Sequence, residues 1–212
     1  MMKPIFAAAI ATVIAAASPA LAANVTMYDE IGGQTFTGNF GYELSTSNQG
    51  WGQLFNTGLA TTLTGVSVLV APVAGASSYM LELLADGGSG TPTGTAFWSS
   101  STVSSSTSVY NITGLSLSIN AMTNYWLAVL PVDGTSGWMQ PDSGDQGTTA
   151  FYSYGDTSTW QVEPTADSYL FAATITGSYV DAPTDTGVPE PASLALLGLG
   201  LLGTAAIRRR RS

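Results

Sequence analysis

Asn124-Tyr125-Trp126-Leu127-Ala128-Val129-Leu130-Pro131 is the stretch on which the fold class turns. Side chains alternate across an extended chain, so Tyr125, Leu127 and Val129 share one face and Trp126, Ala128 and Leu130 the other. Both faces are apolar, and a strand of that kind needs cover on each side. Ser78 to Ala85 repeats the pattern, with Tyr79, Leu81 and Leu83 alternating with Met80, Glu82 and Leu84. It is placed centrally in a sandwich for the same reason.

Working outward, shorter candidates follow. Thr61 to Val70 is rich in β-branched residues, with Val66, Val68 and Val70 on one face and Gly65 marking a bulge. Thr95 to Ser99, Ser108 to Thr113, Thr148 to Tyr154 and Tyr169 to Thr176 read as further strands. Asp86-Gly87-Gly88-Ser89-Gly90-Thr91-Pro92 is a turn signal, and Ser99 to Ser108 reads as an exposed loop or edge. No stretch of ten residues in this region has helical periodicity. The expectation is an all-β domain, a β-sandwich or jelly roll, over residues 23–181.

Composition narrows the chemistry. The 212 residues contain no cysteine and no histidine. Disulfides and thiolate metal sites are excluded, and so is the usual general base near neutral pH. The five basic residues are Lys3, Arg208, Arg209, Arg210 and Arg211. Of fourteen carboxylates all but Glu190 lie between Ala23 and Gly187, which gives that segment a side-chain charge of −13. Nucleic-acid binding needs cations that displace phosphate counterions, and this segment has none. Anionic headgroups and phosphorylated substrates are disfavoured likewise.

The two ends read as addresses. Lys3, the apolar run Ile5 to Ala17, the Ser18-Pro19 break and Ala20-Leu21-Ala22 have the order of a secretory signal peptide, residues 1–22. Signal peptidase is expected to cut after Ala22 and leave Ala23 first. At the other end, Val188-Pro189-Glu190-Pro191 precedes the apolar run 192–207, and Arg208 to Arg211 follow. Sixteen residues make a helix of about 24 Å at about 1.5 Å per residue, short of a hydrocarbon core of about 30 Å. Arginine snorkelling and local thinning of the bilayer cover the difference. The arginines hold that end in the cytoplasm, so the domain lies outside it. Residues 182–187 form a Pro/Thr/Asp-rich linker. Gly198-Leu199-Gly200-Leu201-Leu202-Gly203 matches a dinucleotide-binding spacing, but it lacks the preceding strand and the later acidic residue that such a site needs.

These tail residues together resemble the PEP-CTERM sorting signal of Gram-negative bacteria. The resemblance covers residues 188–212 and implies cleavage at or near Pro-Glu-Pro by an exosortase-type membrane protease, a transient inner-membrane anchor, and delivery to the cell surface or extracellular matrix. In that family such proteins often accompany exopolysaccharide and biofilm genes. The competing physical reading is a stop-transfer anchor that is never cut. Leu63 to Val68, Leu81 to Pro92 and Leu115 to Val129 also resemble the small choice-of-anchor β-sandwich domains found beside surface-sorting signals. That family brings no catalytic residues.

Candidate chemistry is sparse. A serine nucleophile lacks a His or Lys to activate it. A glycosidase needs two carboxylates, for which Glu43, Glu82 and Glu163 are candidates. Trp138 and Trp160, beside Gly/Ser/Asp-rich loops, are candidate glycan-stacking platforms; Trp126 is expected in the core, as aromatics in a sandwich usually are. Calcium is the one metal that oxygen donors alone would suit, with Asp142, Asp145 and the pair Asp29-Glu30 as candidate ligands. No cofactor is expected otherwise. The leading expectation is a non-enzymatic, structural or adhesive surface protein. The alternative is a carbohydrate-binding module that retains exopolysaccharide.

Overall fold

At Leu69 the chain passes from one sheet to the other within a single residue. The computed structural model describes residues 22–37, 40–45, 49–88, 90–142, 147–153, 159–162 and 170–180. Twelve strands are found among them: β1 Ala22–Asp29, β2 Phe40–Ser45, β3 Gln49–Asn56, β4 Thr62–Val68, β5 Val70–Asp86, β6 Pro92–Ser99, β7 Val103–Ser104, β8 Tyr110–Ser118, β9 Asn124–Met139, β10 Thr149–Ser153, β11 Gln161–Val162 and β12 Ala173–Val180. There is no helix among the described residues. The expectations for the signal peptide, the linker and the transmembrane helix 192–207 lie outside them, except that β1 begins at Ala22.

One sheet has the order β1-β12-β4-β8; the other runs β11-β10-β3-β9-β5-β6, with β2 also on β9 and β7 on β5. β9 and β5 pair antiparallel from Trp138 opposite Val70 to Tyr125 opposite Ala85. Glu43 pairs with Gly137 and Trp51 with Val129, so β2 and β3 lie in one register along the other side of β9. The β5–β9 register shifts repeatedly between Pro72 and Tyr79, as bulged strands do at a corner. Gly134 turns that corner with φ 65°, and a Cβ there would stand 2.6 Å from the Ala76 carbonyl oxygen.

The alternation read in β5 and β9 sorts the side chains as expected. Tyr79, Leu81, Leu83, Tyr125, Leu127 and Val129 join the main core with Leu63, Val66 and Val68 of β4 and Ile175 of β12. Leu84, Trp126 and Ala128 form a separate buried cluster on the other face, against Leu130 and Trp160. The central pair are longer than their sequence patterns: Asn124 to Pro131 and Ser78 to Ala85 are halves of 16- and 17-residue strands. The expected strand Thr61 to Val70 is two strands, since Leu69 breaks it and Val70 opens β5. Gly65 does sit at a bulge, where the β4–β8 register shifts. The Ser/Thr-rich stretch contains the two-residue strand β7, and Val103 in it is buried.

At Leu69 three segments close a ring of main-chain bonds. Leu69 N–H donates to Ala172 O at 3.1 Å, Ala172 N–H to Met139 O at 2.8 Å, and Met139 N–H to Leu69 O at 3.0 Å. The Trp138 indole N–H donates to Ala172 O at 3.0 Å. The Trp138 ring stacks on Phe171 at 4.3 Å between centroids and 7° between planes. Trp51 meets the Phe171 ring edge-on at 6.1 Å. Gln53, fully buried, accepts Phe171 N–H at 3.2 Å and donates to Thr148 O at 3.1 Å. Residues 170–172 are thereby tied to both sheets before the chain enters β12.

Trp138→Ala removes the stack and one bond to Ala172 O, and should lower unfolding free energy by about 3–5 kcal/mol, the usual cost of emptying a buried aromatic site. Trp138→Phe keeps a ring and should lose about 1 kcal/mol from the missing N–H and indole volume. Denaturant titration of both variants checks this; two equal losses would mean that the ring stack contributes little.

Candidate functional site

The outer face of the four-stranded sheet is built largely of short uncharged polar side chains, with the Asp29 carboxylate at one end bonded to Thr174. Alternation puts Val25, Leu63, Ile112, Leu117 and Ile175 inward, and the residues between them outward. Asn24 and Thr26 come from β1, Thr174, Thr176 and Ser178 from β12, Thr62, Thr64 and Ser67 from β4, and Asn111, Thr113, Ser116 and Ser118 from β8. Residues two apart on a strand repeat roughly every 7 Å and neighbouring strands lie about 4.8 Å apart, so hydroxyls and amides tile this face. Ser67 Oγ donates to Asn111 Oδ1 at 2.6 Å, and Thr64 Oγ1 lies 3.3 Å from Thr176 Oγ1.

A cleft opens where the face is bulged. Its volume is about 400 Å³, and Asn24, Val25, Thr26, Thr64, Gly65, Thr113 and Thr176 line it. Gly65 keeps it open: a Cβ there would approach Thr176 Oγ1 to 2.9 Å and Ile112 O to 3.1 Å. The lining offers hydroxyl and amide donors and acceptors, one apolar side chain and no charge. That chemistry matches the donors and acceptors of a neutral hydroxylated ligand and supplies no cation to offset the charge of a phosphate. Sequence reasoning missed this face. Its signal is the spacing Asn24-x-Thr26, Thr62-x-Thr64, Asn111-x-Thr113, Ser116-x-Ser118 and Thr174-x-Thr176-x-Ser178.

The two tryptophans expected to stack on glycans are placed differently. Trp138 is fully buried between Phe171 and the strands around it, and presents no face to solvent. It packs in the core, because position 138 falls on the inward side of β9 beyond the corner. Trp160 is half-buried on the outer face of the larger sheet. A Cβ on Gly52 would lie 3.4 Å from both the Trp160 and Trp126 rings, so the two indoles flank that glycine. Trp126 is fully buried there, and its Nε1 donates to Asp86 Oδ1 at 3.1 Å.

The candidate carboxylates do not converge. Glu82 pairs opposite Ala128 and Glu43 opposite Gly137, nine positions apart along β9. At about 3.3 Å per residue that is roughly 30 Å of extended strand, far beyond the roughly 5–9.5 Å between the carboxyls of a glycosidase pair. Glu163 lies outside the described residues.

The calcium candidates are engaged locally. Asp29 Oδ1 accepts Thr174 Oγ1–H at 2.7 Å, Gly32 N–H at 2.9 Å and Ile31 N–H at 3.2 Å. The Thr174 hydroxyl, helped by those amides, holds its carboxyl below the usual range. Asp142 Oδ1 accepts from the Thr37 amide at 3.1 Å and the Thr37 hydroxyl at 2.9 Å, and the Thr37 amide and Thr35 hydroxyl hold that group low. Each carboxylate ties a loop to its own strand end. Among the described residues no three acidic side chains cluster in a way that could hold a metal ion. Asp145 lies outside them.

The chain was also compared with known proteins. Residues 187–211 match the PEP-CTERM protein-sorting motif. The match takes in Val188, Pro189, Glu190, Pro191, the apolar run and Arg208 to Arg211. The motif implies an exported protein with a C-terminal membrane-associated sorting signal, handled by an exosortase-type processing partner. Neither a curated protein nor a solved structure matches the chain. The PEP-CTERM match stops short of the sandwich, whose likeness to choice-of-anchor domains stays an expectation.

Burial raises the Glu82 carboxyl, against a weaker pull from the Ser99 hydroxyl 3.2 Å away. A raised folded-state pKa favours the protonated form, so this contribution to stability is complete below the unfolded value near 4.5 and is lost as pH rises through the folded value. Glu82→Gln should therefore melt higher than the natural chain at pH 7, and the gap should close below pH about 4. A Tm difference independent of pH would rule out desolvation as the cause.

Proposed function

We propose that this chain is a non-enzymatic surface or matrix protein, whose sandwich is exported, held briefly at the inner membrane by its tail, and released by an exosortase-type cut at Pro189-Glu190-Pro191. The PEP-CTERM motif at 187–211 carries this reading. The cation-free stretch from Ala23 to Gly187 supports it, since no positive charge opposes export of that segment and Arg208 to Arg211 stay on the cytoplasmic side. β1 starts at Ala22, one residue before the N-terminus that signal peptidase would leave, so the cut frees the strand without shortening it by more than a residue. The role at the surface is structural or adhesive, within a biofilm matrix rich in exopolysaccharide.

A second reading is favoured by one observation, the hydroxyl-lined cleft at Gly65. A neutral polysaccharide offers matching hydroxyls, and an acidic one would meet the negative body. On this reading the sandwich is a carbohydrate-binding module that retains exopolysaccharide.

Two outcomes are expected. Glu190→Ala should leave uncut protein in the inner membrane fraction, whereas release at the natural rate would count against protease sorting. For the second reading, the full chain should be retained on neutral cell-derived polysaccharide, and Thr64→Val with Thr176→Val should abolish retention without shifting Tm by more than a few degrees. Retention that instead follows Trp160→Ala alone would move the binding surface to the larger sheet.

A further inference from the structure

The end of the sandwich from which the C-terminal segment departs differs in chemistry from the opposite end. β12 finishes at Val180, and Ser178 O accepts the Thr61 amide at 3.0 Å. Thr61 O accepts Ile119 N–H at 3.0 Å, Gly58 O accepts Met122 N–H at 2.6 Å, and Thr123 O accepts Thr57 N–H at 3.0 Å. The 57–61 turn, the 119–123 turn and the end of β12 therefore form one surface. Leu59 is 61% exposed there and Met122 72%, the two most exposed large apolar residues between Ala22 and Tyr179 among those described. Met122 has φ 53° and is the one non-glycine with positive φ among the described residues. Such backbone is unfavourable for a methionine, and here it holds the side chain out in solvent rather than against the core.

The carboxylates are distributed the other way. Neither turn carries a charged residue. Of the seven acidic residues described, Asp29 and Glu30 meet Ala173 and Thr174 where β12 begins. Asp133 and Glu43 lie at and beyond the β9 corner, and Asp142 joins Thr35 by a main-chain bond. Glu82 lies partway along the larger sheet. Asp86 alone approaches the exit end, and the Trp126 indole N–H engages it.

We infer that this end is a lipid-contacting tip: while the tail holds the protein in the inner membrane, Leu59 and Met122 insert among the headgroups. The inference rests on the proposed anchoring by the tail. Eleven residues separate Val180 from the start of the apolar run at Ala192. They span at most about 40 Å fully extended, so the tail keeps the sandwich within reach of the bilayer. Apolar side chains stand at the end from which the chain leads to the membrane, and five of the seven described carboxylates lie away from it, although Asp181 and Asp185 follow in the connecting segment. Leucine and methionine supply burial without requiring anionic lipid.

The chain has no cysteine, so single cysteines report without background. The full chain, with Met122→Cys, Leu59→Cys or, at the far corner, Val132→Cys, is labelled with a nitrobenzoxadiazole fluorophore and reconstituted into phosphatidylcholine vesicles with and without doxyl-labelled lipid. Labels at 59 and 122 should emit to the blue and lose intensity with doxyl lipid; the label at 132 should do neither. Equal quenching at all three sites, or none at 59 and 122, overturns the inference. A blue shift at 122 without quenching would mean a protein occupant, such as a second copy, and overturns it too. Flotation of the unlabelled chain reads the anchor separately. A chain that floats with unquenched labels removes the tip alone; one that fails to float removes the anchor and the tip together.

Discussion

The sandwich depends on the stack of Trp138 on Phe171 and on the carbonyl of Ala172 beside it. That oxygen accepts two donors, Leu69 N–H and the Trp138 indole N–H. Leu69 is the single residue between a strand of one sheet and a strand of the other. Met139 ends β9, the strand of the large sheet that pairs with β2, β3 and β5, and Ala172 precedes the last described strand of the small one. A chain without cysteine or histidine joins its layers without disulfides and without thiolate or imidazole metal ligands. Here a flat aromatic contact supplies the burial, and a ring of three main-chain bonds keeps the buried peptide groups paired. Tyr28 adds a bond from its hydroxyl to Phe171 O at 2.9 Å, and its burial pushes that phenol's pKa far up.

With the layers joined, the outer surfaces are free to differ. The small sheet shows hydroxyls and amides with a cleft at Gly65. The large sheet shows a half-buried indole over a second apolar cluster. Five of the seven described carboxylates lie toward the end away from the 57–61 and 119–123 turns, with the loops clasped by Asp29 and Asp142. A chain destined to leave the cell from one anchored end has a physical use for such an arrangement. On the proposed anchoring, the 57–61 and 119–123 turns would meet lipid while the described carboxylates beyond them stay hydrated.

Much of this was legible in the residues, and the gaps have physical causes. Two-sided apolar alternation in Tyr79–Leu84 and Tyr125–Leu130 placed β5 and β9 centrally, because period two is read directly from side-chain polarity. Their far halves were not legible. Val73, Gly75 and Asp133 sit at a corner where bulges break the period. β1 and β2 do carry an alternation, Val25 and Met27 against Asn24 and Thr26, and Phe40, Tyr42 and Leu44 against Gly41, Glu43 and Ser45, but the glycines, asparagines and hydroxyl residues around these short runs and within β3 read as loop. Trp138 was misplaced as a surface candidate because polar neighbours suggested a loop, whereas its partner Phe171 is distant in sequence. The hydroxyl face was hidden for a related reason. Its residues are unremarkable one by one, and only the pairing of four separated strands assembles them. The sorting tail, by contrast, is contiguous, so its order of motif, apolar run and arginines could be read without any structure.

Export of the body and removal of both ends are what the proposed function requires. Mass spectrometry of the protein recovered from inner membrane, outer surface and medium tests that most directly. The released form should begin at Ala23 and end at or near Pro189-Glu190-Pro191, and the form that keeps Arg208 to Arg211 should occur only in the inner membrane. A chain recovered from the cytoplasm intact from Met1 to Ser212, with neither shorter form outside, would contradict it.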